Sequence, residues 1–173
     1  MKREIPHAVF TIMGPLDEDK EYYSECLELV NILGLKDVTF TGSVNIKANL
    51  GRMDVIVLTS ISEGQPLAVL EALAAGKPCV TTDVGSCREL LYGRDDHYGP
   101  AGFVVPVMNE EEIGASIVTL CRNKKMRNEM GMNGKNRMAS EYTHDRFISH
   151  YENLYRTLRN KGGEQVGRNR LST

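Results

Sequence analysis

Tryptophan is absent from the 173 residues, histidine and cysteine occur four times each, and proline six times. No apolar run approaches the roughly 18 residues a membrane-spanning helix needs, and no secretory leader opens the chain. The sequence therefore predicts a cytoplasmic protein without direct membrane insertion. Basic residues are not in excess: the net charge is −2, which argues against nucleic acid or an anionic membrane surface as a partner. Cys26, Cys79, Cys87 and Cys121 form no Cys-x-x-Cys pair and do not cluster with histidine, so reduced structural thiols are expected. His144 and His150 stand six apart, off a shared helical face, and no metal site is expected. No Gly-x-Gly-x-x-Gly follows a strand-like run, and no phosphate-binding lysine loop occurs. Nicotinamide, flavin and P-loop chemistry are thereby disfavoured.

What remains is an ordinary globular composition, 41% apolar and 25% charged, long enough for one domain. Its organising stretch runs from residue 54 to residue 82. Asp54-Val55-Ile56-Val57-Leu58 reads as a buried parallel strand, and Cys79-Val80-Thr81-Thr82 as a second one. Between them, Pro66 suits a first helical position and Leu67, Leu70, Leu73 and Ala74 form an apolar face. Gly76 suits the left-handed residue after the helix, and Pro78 bars its continuation. Such a strand–loop–helix–strand unit crosses over right-handed. Glu63 then lies in the loop at the carboxyl end of a strand, where open α/β sheets bind ligands. Glu71, about one and a half turns into the helix, is expected to point back toward the same crevice. The helix start offers free N–H groups to an anion. Two carboxylates beside an anion site suit a ligand with a phosphate and vicinal hydroxyls, such as a nucleotide sugar. A solvated Glu63 and a Glu71 paired with a nearby cation would satisfy the same spacing.

The stretch Glu63-Gly64-Gln65-Pro66-Leu67-x-x-Leu70-Glu71-Ala72-x-Ala74-x-Gly76-x-Pro78, followed by Thr82-Asp83-Val84-Gly85-Ser86-Cys87-Arg88-Glu89, resembles a known signature. It is the donor-site signature of the retaining glycosyltransferases of family four. The Gln65-Pro66 variant, with Gly99-Pro100-Ala101-Gly102 downstream, is similar to the Pel exopolysaccharide glycosyltransferase branch. The resemblance covers about Phe10 to Tyr155. It implies the glycosyltransferase B fold and transfer of a sugar, UDP-glucose being the first choice of donor, to a saccharide acceptor with retention of configuration. By resemblance Glu63 is the candidate catalytic residue, holding hydroxyls of the donor sugar, and Glu71 accepts hydrogen bonds from the ribose. Gly64, Gln65, Pro66, Leu67 and Ala68 surround the phosphates and the sugar, and Gly42 and Ser43 lie against the base. Gln65-Pro66 stands where relatives carry Phe-Gly, which removes one N–H donor. No protein nucleophile, cofactor or essential metal is implied.

The remaining chain reads as alternating elements. A strand at 7–13 leads to helix-start acids Asp17, Glu18 and Asp19 and a helix at 20–33 ended by Gly34. A strand at 38–41, a short helix at 45–52, a helix at 86–91 and a strand at 102–105 follow. Gly85 and Ser86 could bring amides to a ligand or merely satisfy a turn. Residues 94–100 read as a solvated polar loop, and 109–122, 124–140 and 143–159 as helices. The fold expected is α/β, a Rossmann-like doubly wound parallel sheet with helices on both faces, lacking the first βα unit of the domain. Residues 1–160 form the partial nucleotide-sugar-binding domain, and 161–173 read as a disordered tail. The partners implied are the donor, an N-terminal acceptor-binding domain and a polysaccharide-synthesis complex. Two other functions fit: a non-catalytic module of such a complex, and an enzyme like the sugar-nucleotide 2-epimerases.

Overall fold

The computed structural model describes residues 1–169, with the backbone alone for 160–169. Strands and helices alternate as β1 (Phe10–Ile12), α1 (Lys20–Ile32), β2 (Val38–Phe40), α2 (Ile46–Leu50), β3 (Ile56–Leu58) and α3 (Leu67–Ala74). Then come β4 (Cys79–Thr82), α4 (Cys87–Tyr92), β5 (Gly102–Val105), α5 (Glu110–Arg122), α6 (Lys124–Glu141) and α7 (His144–Asn169). The side-chain oxygen of Asp19 accepts from the Tyr22 amide, so Asp19 caps α1. Gly34, at φ +61°, takes the left-handed turn that ends it. Thr143 Oγ1 accepts from the Arg146 amide at 3.3 Å and starts α7 in the same way. The tail expected at 161–173 overlaps α7 as far as Asn169, and 170–173 lie outside the described residues.

Every strand pairing is parallel, as expected of a βαβ chain, but the strands make two sheets. One is β1-β2, in the register Phe10↔Val38 to Ile12↔Phe40. The other is β3-β4-β5, with Ile56↔Cys79 and Cys79↔Gly102 aligned. β4 is buried over all four residues, because helices cover both its faces. Cys79 points into one apolar cluster, with Val69, Ala72, Leu73, Leu90, Leu91, Ala101 and Met138. Val80 points into the other, with Ile117, Leu120 and Met130.

Three local expectations are corrected. Pro66 is the residue before α3 and not its first, with ψ 112° keeping it extended. The buried stripe of α3 is Val69, Ala72 and Leu73, at i, i+3 and i+4, while Leu67 and Ala74 are exposed and Leu70 half-buried. That stripe is selected by α6. A Cβ on Gly131 would lie 2.2 Å from the Gly76 carbonyl oxygen, and one on Gly134 2.6 Å from a Leu73 methyl carbon. Glycine at both positions lets α6 lie directly on α3. Finally, the loop at 94–100 is not uniformly solvated. Asp96 is 10% exposed and meets Arg137 of α6, which is 1% exposed.

Candidate functional site

The loop between β3 and α3 is held from one side by the turn between β4 and α4. Thr82, at the end of β4, donates its hydroxyl to the Ser60 carbonyl at 2.5 Å. Ser86 donates its amide to the Gly64 carbonyl at 2.9 Å. Between them Gly85, at φ +50°, passes so close that a Cβ would lie 2.2 Å from the Gly64 oxygen and 2.5 Å from the Glu63 oxygen. The turn reading of Gly85 is therefore the correct one, and the Ser86 amide is spent on Gly64 and not offered to a ligand. Replacing Thr82 by valine removes the tether to Ser60 with little change in volume. Stability should fall by about 1–2 kcal/mol, and amide exchange in residues 60–64 should quicken, which native-state hydrogen exchange would read.

This clamp leaves the other side of the loop open. Gly64, Gln65, Leu67 and Ala68 are exposed, Glu63 is half-buried and Pro66 is buried. In α3 the first helical amides that bond within the turn are those of Val69 and Leu70, both to the Pro66 carbonyl. The Leu67 and Ala68 N–H groups lie ahead of them, in the turn that lacks helical acceptors. Open amides at a helix start attract an anion. Pro66 contributes no donor to this group, as its chemistry requires.

Glu71 lies further along α3. With Ala74 and Ala75 it makes an i, i+3, i+4 stripe facing α2, where Lys47, Leu50 and Gly51 complete a cleft of about 350 Å³. Lys77 Nζ donates to the Gly51 carbonyl at 3.1 Å and ties the segment after α3 to the end of α2. Leu50, Ala74 and Ala75 give this cleft an apolar lining, and Glu71 and Lys47 are its charged side chains. Glu63 does not line this cleft. Glu63 thus lies in the clamped loop at the start of α3, and Glu71 beside a cleft along the helix's side.

Gly42, at φ +69°, and Ser43 follow β2. The Gly42 carbonyl accepts from the Gly14 amide at 3.2 Å and from Thr41 Oγ1 at 3.0 Å. These residues belong to the separate β1-β2 sheet and do not line the Glu71 cleft, although Asn45 beyond them caps α2 and so positions Lys47.

Neighbouring groups are structural. Burial pushes the thiols of Cys79 and Cys87 up, keeping them protonated and unreactive, and all four cysteines are free. Tyr142 donates to Glu89 Oε1 at 3.0 Å, and burial with that bond pushes its phenol up to about 12. Arg88 pairs with Asp83 at the surface.

Arg137 has no counterpart in the sequence expectations. Its guanidinium donates to both Asp96 oxygens and to the carbonyls of Leu90 at 3.2 Å, Leu91 at 3.1 Å and Gly99 at 2.7 Å. It thus caps the end of α4, whose beginning clamps the Gly64 loop. The carboxyl of Asp96 is held below the usual range by this hydrogen-bonded guanidinium. Lys47 was equally illegible, since a lysine in a short polar helix carries no mark of the cleft it faces.

The family model for glycosyl transferases group 1 matches residues 1–137. The chain is 27% identical over 139 residues to the N-acetyl-alpha-D-glucosaminyl L-malate synthase of Bacillus anthracis, covering 79% of this chain and 35% of that protein. It thus spans about a third of the length of that curated relative. Among solved structures it superposes on Anabaena Alr3699/HepE in complex with UDP and glucose. The TM-score is 0.72 at 21% identity, over 88% of this chain and 40% of that one. It also superposes on the C-terminal domain of the glycosyl transferase group 1 protein LpcC of Francisella tularensis. There the TM-score is 0.71 at 23% identity, over 83% of this chain and 74% of that domain. Among the described residues, no helix is long and apolar enough to cross a membrane.

Proposed function

The chain belongs to the group 1 glycosyl transferases, and on that premise we propose that it is the donor half of an enzyme moving a sugar from a nucleoside-diphosphate sugar to a saccharide hydroxyl. The configuration at the anomeric carbon is retained, the donor is UDP-glucose and the product enters an exopolysaccharide of the Pel type. The reading is supported chiefly by the join of two features: open amides at the start of α3, and Glu71 lining the cleft beside α2.

In this reading Glu71 accepts from the ribose hydroxyls, and the amides of Leu67 and Ala68 face the diphosphate with those of Gly64 and Gln65. Glu63, held by the Gly85 turn, receives hydroxyls of the transferred sugar. Pro66 withholds an amide, and Gln65 brings a side-chain amide in its stead. Gly42 and Ser43 approach the base from the β2 side. Charge developing on the leaving diphosphate is met by the helix-start amides; no metal or cofactor is required, and no protein nucleophile is assigned. The separation of the strands into two sheets favours a second reading, a non-catalytic module of a polysaccharide-assembly complex.

Ligand-observed NMR separates the two. Donor binding predicts that UDP and UDP-glucose both contact the chain, compete with each other, and are not displaced by free glucose. A folded chain that touches neither nucleotide would refute the donor reading and leave the assembly module.

A further inference from the structure

Every described side chain of α7, from His144 to Arg159, is exposed. Helices in folded proteins owe most of their stability to packing of an apolar face, and α7 has such a face without cover. Phe147, Ile148, Tyr151, Leu154, Tyr155 and Leu158 lie along it, each between 41 and 66% exposed. Phe147, Tyr151, Leu154 and Leu158 recur at spacings of four, three and four, the heptad seam of a coiled coil, and Ile148 and Tyr155 widen it on one side. The stripe is already ordered. The Phe147 and Tyr151 rings pack with their centroids 4.7 Å apart, and Ser149 and Thr157 spend their hydroxyls on the helix's own carbonyls.

Area and charge both favour a second copy of this chain as the cover. Six large apolar side chains at about half exposure present on the order of 100 Å² each, or roughly 600 Å² per helix. Two such stripes face to face bury about 1,200 Å², the lower bound of a stable interface. The charges are divided along the helix. Asp145 is fully exposed in its first turn, whereas Arg156 and Arg159, with Glu152 and Tyr155, line a groove of about 330 Å³ further along. Arg146 is already paired with Glu141 at 2.8 Å. In an antiparallel pair Phe147 layers with Leu158 of the second copy and Tyr151 with Leu154, and in that register Asp145 of each copy faces Arg159 of the other. A parallel pair would set Asp145 beside Asp145 and Arg159 beside Arg159.

We propose that α7 is a self-complementary interface through which two copies of this chain associate as an antiparallel helix pair with twofold symmetry. The apolar stripe supplies the contact area, and the two Asp145–Arg159 pairs fix direction and register. The interface lies wholly on α7, so it is independent of whether the chain holds a nucleotide.

The test is sedimentation of the intact chain. A dimer is expected at about 100 µM, dissociating on dilution toward roughly 1 µM, as suits an interface at the small end of the stable range. Leu154→Glu alters a side chain already exposed, so the variant should keep the thermal melt of the wild type and lose the dimer. Asp145→Arg and Arg159→Asp should each weaken association about tenfold, since each disturbs both symmetry-related pairs; the two changes together should restore it. Restoration would not come from the helix itself, because arginine in the first turn opposes the helix dipole in the single and double variants alike. A chain that stays monomeric would leave the stripe to a different protein surface and overturn the proposal, as would a dimer that survives Leu154→Glu. Loss in Leu154→Glu without restoration by the double exchange would overturn the antiparallel register.

Discussion

Replacing Arg137 by methionine is expected to cost about 3–5 kcal/mol of stability, the range for breaking a buried ion pair from one side. The side chain is 1% exposed, and methionine fills similar space, so the loss is electrostatic and not steric. It strands Asp96 in a site 10% exposed, and it strips donors from three carbonyls, those of Leu90, Leu91 and Gly99. The pH dependence fixes the origin. The Arg137 guanidinium lowers the Asp96 carboxyl below its usual range, so the pair contributes in full above roughly pH 4, the unfolded carboxylate value. Its contribution falls away as pH drops through the lower folded value. Urea unfolding at neutral pH should show the full gap between the wild type and R137M, and the gap should narrow in acid as the orphaned Asp96 takes a proton. A gap below 1 kcal/mol at neutral pH would mean the guanidinium network is dispensable.

Gly85→Ala is the second large effect, and it should be felt at the proposed donor site. Alanine at φ +50° carries a conformational cost of about 1–2 kcal/mol. Its Cβ must also push two backbone oxygens from 2.2 and 2.5 Å to ordinary contact, with a further overpacking cost of about 1–3 kcal/mol. The cheapest relief is movement of the Glu63–Gly64 loop, because β4 on the other side is buried throughout. Calorimetric melting should report the lost stability. Affinity for UDP-glucose should fall at least tenfold while affinity for UDP falls less, since in the proposed function Glu63 serves the sugar and Glu71 the ribose. Equal losses for both ligands would place the Gly85 turn against the nucleotide instead.

Much of this arrangement could be read from the residues. The helix at α3 announced itself through the Gly76 and Pro78 punctuation, and α1 through Asp19, because caps and stops are local physics. The order of elements followed from apolar runs separated by glycine turns. The buried stripe of α3 was misplaced for a tertiary reason: Gly131 and Gly134, nearly sixty residues downstream, decide which side of the helix is covered. Arg137 and Asp96 escaped for the same reason, since each alone looks like a surface charge and only the fold buries them together. The division into two sheets was not legible: the sequence reads as one doubly wound parallel sheet lacking its first βα unit, and nothing local marks β1-β2 as separate from β3-β4-β5. Glu71 and Glu63 were marked by resemblance and by their places in a helix and the loop before it, but Glu71 meets its cleft only through α2 and Glu63 is held only through the Gly85 turn, and no spacing rule reaches that far.

The most direct measurement is calorimetric titration of UDP into this chain and into Glu71→Ala, with circular dichroism to show that both are folded. The account predicts one site on the wild-type chain and a weakening of about ten- to a hundredfold in the variant, as expected for loss of hydrogen bonds to a charged acceptor. Equal binding by both proteins, or no binding by the folded wild type, would contradict a donor site built on Glu71.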